Sequence, residues 1–440
     1  MPRRKKEDQP QEEIKTIKTP SLVEGTKDVL PADQKYWSFV EKELFSIIND
    51  YSFTRLDTPI LEKYELFNHT LFKQSGLLEK ESFNFVDRGQ KLIMRPEIAT
   101  AVARAFASHN MVNQTMPIKA YTWGPVFRQG KIESQKLRQF MQVSFEILGD
   151  SSPAIDAELI IVANAMIKNL GIESEVKLNS VGCATCRPEY KKALTGYLKS
   201  KRSGVCADCR KYVTRDPLKF LNCASNKCGQ LYEDAPQMVD WLCDDCRNHL
   251  FKVLEYLDEL KVSYHLDATL TRTFDYHTQT VFEIFPAGDE EDKVSLVGGG
   301  RYNYLVQMVG GPETPAVGFS LGIDRLVNQV KRAKVELPKP KGPDVFLAQI
   351  SDQARQNAFA VFESLRKENF TVKANLSKAS LKAQLDIANK LGAKLVLILG
   401  QKEVVEGTII LRDVESGIQE VINRDKAIKE IKKRLKEKQD

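Results

Sequence analysis

Leu137-Arg-Gln-Phe-Met-Gln-Val-Ser-Phe-Glu-Ile147 has the period of a β-strand. Leu137, Met141, Val143, Phe145 and Ile147 fall on one face and are expected to be core. Arg138, Phe140, Gln142, Ser144 and Glu146 take the other. An ordinary solvent face is polar too, but Phe140 is out of place in such a row. An aromatic ring there can stack on a flat ligand ring.

The strand before it ends Gly124-Pro-Val-Phe-Arg128, and a polar loop from Gln129 to Lys136 joins the two. A hairpin with a long basic loop suits phosphate or RNA contacts. Further along, Thr271-Arg-Thr-Phe-Asp-Tyr-His-Thr-Gln-Thr-Val-Phe-Glu283 gathers Arg272, Asp275, Tyr276 and His277 just before an apolar strand. Gly298-Gly-Gly-Arg-Tyr302 reads as a glycine turn, where missing side chains let a ligand approach the backbone. Gly318-Phe-Ser-Leu-Gly-Ile-Asp-Arg325 reads as a strand running into a helix. An arginine near a helix start can share an anion with the amides exposed there. Each glycine turn alone is usually just a turn, and their order along one chain is more informative.

All eight cysteines lie between Cys183 and Cys246. Cys183/Cys186, Cys206/Cys209 and Cys243/Cys246 are Cys-x-x-Cys pairs, and Cys223 and Cys228 stand slightly wider apart. The two-residue gap resists a strain-free disulfide and suits a turn that aims two thiolates at one tetrahedral ion. All eight are candidate ligands. Structural zinc is the first expectation, with an iron–sulfur site or metal-free buried thiols as alternatives. The simplest count is two four-thiolate sites, and the sequence leaves open which pair joins which.

A chain of 440 residues, 42% hydrophobic and 28% charged, is ordinary for a globular protein of two or three domains. Met1 to Lys18 carries charges throughout and no apolar h-region, and no run approaches a membrane span. A cytoplasmic, membrane-free protein is therefore expected, where clustered thiols favour metal over disulfide. The net charge of +6 permits an RNA partner without demanding one.

Residues 1–20 read as a disordered tail, 21–177 and 261–335 as two parts of one body, and 178–260 as an inserted cysteine-rich domain. Prolines mark 336–343 as a linker to a C-terminal domain over 344–440. Trp37, Val40, Leu44 and Ile47 recur three or four apart and predict a helix over Asp33–Asn49. Another helix, Cys246–Lys261, leads out of the insertion. Beyond the linker, strands at Val345–Ile350, Thr371–Ala374 and Lys394–Leu399 alternate with helices near 352–368 and 378–391. That order predicts a small α/β domain with a largely parallel sheet. A lysine-rich helix from Asp425 to Lys438 closes it, most of its lysines forming a solvated face.

Taken together, Arg95-Pro-Glu97, Gly124-Pro-Val-Phe-Arg128, Arg138-Gln-Phe140, Gly299-Gly-Arg-Tyr302 and Gly318 to Arg325 resemble the signatures of the histidyl-tRNA synthetase family. Thr271-Arg272 through Glu283 resembles the segment peculiar to the histidine enzymes. Phe53-Thr-Arg-Leu-Asp-Thr-Pro59 resembles class II motif 1, whose proline lies at the dimer interface. Leu399-Gly-Gln-Lys-Glu-Val404 with Arg412-Asp-Val-Glu-Ser-Gly417 resembles the family's anticodon-binding domain. The cysteine module is similar to insertions seen in some bacterial members.

The resemblance implies an α+β class II catalytic core, an antiparallel sheet flanked by helices, with the Cys-rich insertion and a C-terminal α/β anticodon-binding domain. It implies a homodimer that uses ATP and Mg²⁺ to activate L-histidine and then loads tRNA(His). On matching positions, Arg128 and Arg272 would grip the α-phosphate, Arg325 the γ-phosphate, and Phe140 would stack on adenine. Glu97, Ala99, Gln142, Glu146, Tyr276, His277 and Tyr302 would surround the histidine.

The chain also departs from the family pattern. Gly130 stands for a glutamate that contacts ATP, Ala99 for a threonine, Lys136 for an arginine, His277 for a tyrosine, Met141 for a histidine, and Asn303-Tyr304 for Asp-Gly. Lys136 keeps charge without bidentate geometry, and His277 brings a group that titrates near neutrality. Two alternatives accompany the enzyme reading. One is a catalytically impaired synthetase-like tRNA sensor. The other is a histidine-binding regulatory subunit of ATP phosphoribosyltransferase, a paralogue type that generally lacks the anticodon-binding domain.

Overall fold

The computed structural model describes residues 19–70, 78, 81–130, 137–223, 225–271, 276–288, 294–339, 341–377 and 380–437. The expectation for the tail falls almost wholly outside these residues, as do those for Lys136, Arg272 and Asp275. The chain separates into two compact units, Met1–Leu337 and Pro338–Asp440.

The first unit is built on one eight-stranded sheet. In chain order its strands are β1 (Thr54–Arg55), then β5 (Ile118–Phe127), β6 (Gln139–Leu148), β7 (Ser174–Ser180), β8 (Tyr264–Leu266), β9 (Thr278–Pro286), β10 (Val297–Arg301) and β11 (Ala316–Gly322). The spatial order is β1-β5-β6-β11-β10-β9-β7-β8. The six central strands are antiparallel, and the edge strands β1 and β8 join in parallel. A three-stranded sheet of β2 (Leu61–Lys63), β3 (Asn84–Asp87) and β4 (Gln90–Met94) stands beside it.

Helices cover the sheet where its side chains are apolar. Helix α1 (Gln34–Asp50) buries Trp37, Val40, Leu44, Ile47 and Ile48, one stripe of a 3.6-residue repeat. Helix α2 (Ala99–Ser108) contributes Val102 and Phe106 to a second core. Helix α3 (Pro153–Asn169) starts from an N-cap at Ser152, whose Oγ accepts from the Ala154 amide, with proline in the first turn. Val143, Phe145 and Ile147 of β6 pack into the same core as α1 and α3.

The insertion leaves the sheet after β7 and returns before β8. Helix α4 (Arg187–Ser200) opens it and helix α5 (Asp244–Glu259) closes it, with short turns between. Its apolar side chains, among them Tyr190, Leu194, Phe220 and Leu242, form one continuous core with the sheet and α1. Helix α5 lies against α3. Between them, buried Asp156 takes both Nε and Nη2 of buried Arg301, and His249 Nε2 stands 3.4 Å from its carboxylate.

Gly298–Arg301 corrects an expectation. It is not a turn: it is strand β10, paired on both sides with β9 and β11. Helix α6 (Ile323–Arg332) follows β11 directly. Residues 335–339 and 341–343 have neither helix nor strand.

The second unit has a five-stranded sheet of β12 (Val345–Gln349), β13 (Val372–Ala374), β14 (Leu395–Leu399), β15 (Thr408–Asp413) and β16 (Gln419–Asn423), ordered β13-β12-β14-β15-β16. Helices α7 (Asp352–Lys367), α8 (Leu381–Lys390) and α9 (Ala427–Glu437) flank it. The sheet is mixed and not largely parallel, because a closing hairpin adds β15 and β16 antiparallel to β14. Among the described residues no helix is long and apolar enough to cross a membrane.

Candidate active site

Gln142, Ser144 and Glu146 on the polar face of β6 are buried, and Gln142 and Glu146 line a cavity of about 250 Å³. Its wall includes Phe140, Gln142 and Glu146 from β6, Arg128 from the end of β5, and Glu97 and Ala99 from the start of α2. Tyr276 and His277 enter ahead of β9, Tyr302 after β10, and Arg325 from the first turn of α6. Every candidate active-site residue outside the undescribed Arg272 therefore meets at one place.

One end of the cavity is a carboxylate and aromatic chamber. Glu146 accepts from Ser144 Oγ at 2.5 Å and from the Tyr302 hydroxyl. Burial pushes its carboxyl up to about 8, against the pull of the two hydroxyls, and Glu97 adds a like charge. Burial also raises Tyr302, with Glu146 beside it. Glu97 accepts the Thr100 amide at 2.8 Å, and burial lifts its carboxyl above the usual range although Arg128 opposes this. Tyr276 stacks on His277 with ring centroids 4.6 Å apart and meets Tyr302 edge-on at 5.7 Å. Gln142 Oε1 is buried without a hydrogen-bond partner among the described residues, so an incoming donor would satisfy it.

The other end is cationic. Arg128 donates Nε to the Pro96 carbonyl at 2.9 Å, and its guanidinium lies 5.4 Å from the Phe140 ring centre. Arg325 donates Nη1 to the Ser295 carbonyl at 3.0 Å. Its neighbour Asp324 accepts the Met141 amide at 2.8 Å and pairs with Lys27. Arg95 is a structural tie: buried, it donates to Pro125 O and to Thr58 O and Oγ1.

Glycine is required at one wall position. A Cβ on Gly318 would lie 1.8 Å from Glu146 Oε2 and 2.6 Å from Phe145 O. Gly318→Ala must displace the carboxylate, and overpacking of this kind costs about 1–3 kcal/mol. We expect the KM for the substrate held at the carboxylate end to rise by about 10- to 100-fold, with that for a ligand of the arginine end little changed. A Gly318→Ala protein with both values normal would show that the carboxylate is not needed where it stands.

Sequence reasoning missed Glu81, Ser295, Ser320 and the role of Ser144. Ser144 and Ser320 share a hydrogen bond at 2.9 Å behind Glu146. The alternation of β6 already put Ser144 on the cavity face, whereas nothing near Glu81 or Ser295 marks them.

The cysteines resolve into two sets, Cys183/Cys186/Cys243/Cys246 and Cys206/Cys209/Cys223/Cys228. Sulfur–sulfur distances are 3.7 Å for Cys183–Cys186, 3.8 Å for Cys183–Cys243, 3.9 Å for Cys186–Cys246 and 3.7 Å for Cys206–Cys223. A tetrahedron with metal–sulfur bonds of about 2.3 Å has edges of about 3.8 Å. These four edges match that length, and within each set all the sulfurs lie within 4.8 Å of one another, close enough to share one ion.

An antiparallel sheet flanked by helices, with arginines at one end of a cavity on its open face, defines the catalytic unit of a class II aminoacyl-tRNA synthetase. The family model described as histidyl-tRNA synthetase matches residues 25–326, and that described as an anticodon binding domain matches residues 344–434. The chain belongs to the histidyl-tRNA synthetase family. It is 36% identical over 412 residues to the histidine–tRNA ligase of Desulforamulus reducens, covering 93% of this chain and 98% of that one. The histidine–tRNA ligase of Caldanaerobacter subterraneus subsp. tengcongensis is 37% identical over 410 residues, 93% and 98% of the two chains. The apo S. aureus histidyl-tRNA synthetase structure aligns with a TM-score of 0.78 at 29% identity, over 94% of this chain and 100% of that one.

Proposed function

We propose that this chain activates L-histidine with ATP to histidyl-adenylate and transfers the histidyl group to tRNA(His). The observation that carries this is the two-ended cavity: buried carboxylates and an aromatic box at one end, arginines and Phe140 at the other. Glu97, Gln142 and Glu146 hold the ammonium and imidazole of histidine, with Ala99 beside them and Tyr276, His277 and Tyr302 around the ring. Phe140 stacks on adenine, Arg128 and Arg272 grip the α-phosphate, and Arg325 the γ-phosphate.

A histidine carboxylate oxygen then attacks the α-phosphorus and pyrophosphate leaves. A tRNA ribose hydroxyl next attacks the activated carbonyl and AMP leaves. Charge builds on the α-phosphate oxygens, and preplaced guanidiniums stabilise it without a covalent enzyme intermediate. Glu81 and Glu283 on the wall would offer carboxylate oxygens to Mg²⁺ bound with ATP, and the ion would neutralise phosphate charge there.

The sulfur spacing supports two structural zinc ions per chain, with cysteine as the only ligand type. The proposed division is a catalytic core over 21–177 and 261–335, a metal-stapled insertion over 178–260, a linker over 336–343 and an anticodon-binding domain over 344–440. A homodimer joined near Pro59, working in the cytoplasm, completes the reading.

Histidine-dependent ATP–pyrophosphate exchange by metal-replete protein tests it. Exchange with histidine, and charging of tRNA(His), are expected. No exchange would overturn it and leave the sensor or the regulatory subunit; the second unit, matched by the anticodon-binding model, speaks against the latter.

A further inference from the structure

The neck of the insertion and the histidine end of the cavity share one arginine. Strand β7 stops at Ser180, and the chain turns through Val181–Cys186 into α4. Gly182 sits in this turn at φ +64, where a Cβ would lie 2.7 Å from Cys186 Sγ and 2.2 Å from Met238 Cε. The turn is drawn tight around the thiols: the Cys183 amide donates to Cys186 Sγ at 3.1 Å.

Arg187 is the next residue, and its side chain folds back toward the sheet. Nε donates to Val181 O at 3.1 Å, and Nη2 to Gly182 O at 3.3 Å and to His277 O at 2.5 Å. The backbone continues the same seam. Val181 N donates to Gln279 O at 2.8 Å and Gln279 N to Gly182 O at 2.9 Å, beyond the last β7–β9 pair, Ser180 with Thr280. The guanidinium thus fastens the carbonyl of a cavity-wall residue to the turn that carries two of the four neck cysteines.

We infer that Arg187 is a positioning residue for the histidine pocket, and that through it the Cys183/Cys186/Cys243/Cys246 centre sets where His277 and Tyr276 stand. The inference rests on the proposed function. Arg128, Phe140 and Arg325 reach the cavity from β5, β6 and α6, so three of the four proposed ATP contacts lie outside this linkage, and ATP binding should suffer far less than histidine binding.

The test uses the full-length, metal-replete protein. Arg187→Ala should raise the histidine Kd by calorimetry, and the histidine KM in exchange, about tenfold, the scale of one lost charge-assisted hydrogen bond. The ATP KM and the metal content should stay within about twofold of the unmutated protein. Arg187→Lys, which keeps a cationic donor, should recover part of the loss, and it alone decides if the alanine variant fails to fold or loses metal. In a Cys183→Ser background Arg187→Ala should add less than about threefold, because linked residues do not combine multiplicatively.

A histidine KM within twofold of normal in both arginine variants overturns the inference. So does an equal rise in the ATP KM, or a full tenfold effect in the Cys183→Ser background. These results are read against the unmutated protein. If that protein shows no histidine-dependent exchange, the proposed function falls; if it exchanges normally, only the linkage does.

Discussion

Glu146→Gln is expected to lower kcat/KM for histidine by about 100- to 1,000-fold, because removing one partner of a buried charge pair costs about 2–5 kcal/mol. The substitution keeps shape and removes only the charge. In the free protein Glu146 is buried, and its carboxyl sits at about 8 against 4.5 for an ordinary glutamate. A cationic ligand group favours the ionised form, so histidine must displace a proton whenever it binds below about pH 8.

Histidine should therefore bind more tightly as pH rises from 6.5 toward 8, an effect that calorimetry with buffers of different ionisation enthalpy would detect. In Glu146→Gln that pH dependence should flatten. Stability of the ligand-free protein runs the other way. The raised carboxyl contributes most below pH 4.5, and that contribution is lost as pH climbs through about 8. A Glu146→Gln protein with kcat/KM within fivefold of normal would remove Glu146 from the histidine site.

The second large effect concerns the metal. Between Lys201 and Gln237 the described helices are Ala207–Arg210, Pro217–Asn222 and Asn226–Gly229. Helices this short do not hold themselves in water, where about 12–15 residues are marginal. The four thiols Cys206, Cys209, Cys223 and Cys228 draw these turns together, and structural zinc contributes about 10–16 kcal/mol in small thiolate modules.

Cys206→Ser, or chelation, should open this segment. Amide exchange across 205–232 should accelerate by about 1,000-fold or more, equivalent to about 4 kcal/mol of local stability. Metal content should fall from two ions per chain to one in Cys206→Ser. Fewer than one zinc in freshly purified unmutated protein, or full amide protection in Cys206→Ser, would reject the role.

Much of this was legible from residue order. Phe140 in a polar row pointed to a cavity, and Phe140, Gln142 and Glu146 all line one. The apolar periodicity of α1 and the pairs of cysteines read directly as structure. The glycine strand did not: Gly298–Gly300 lacks the side chains that mark a strand, and pairing with β9 and β11 overrides that local preference. The closing hairpin of the second unit was likewise missed: burial alternates along it, but Thr408-Ile-Ile-Leu-Arg-Asp413 and Gln419-Glu-Val-Ile-Asn423 set apolar residues side by side, so polarity does not. Arg301 and Asp156 stand 145 residues apart, and no local signal foretells their pairing. Nor could spacing say which cysteines join, since that depends on the insertion leaving and rejoining neighbouring strands.

The two thiol sets differ in the length of chain they close. Cys206 and Cys223 are 17 residues apart, whereas Cys183 and Cys243 are 60 apart. Loop closure favours the shorter span by about 1 kcal/mol, and the difference has a direction in time. On a growing chain the inner set is complete once Cys228 has emerged, before either outer partner, Cys243 or Cys246, exists. With both sets loaded as proposed, the inner centre would take its ion first and present a folded knot. The outer centre would then act as a clasp that shuts only when α5 arrives, just ahead of the strands that finish the catalytic sheet.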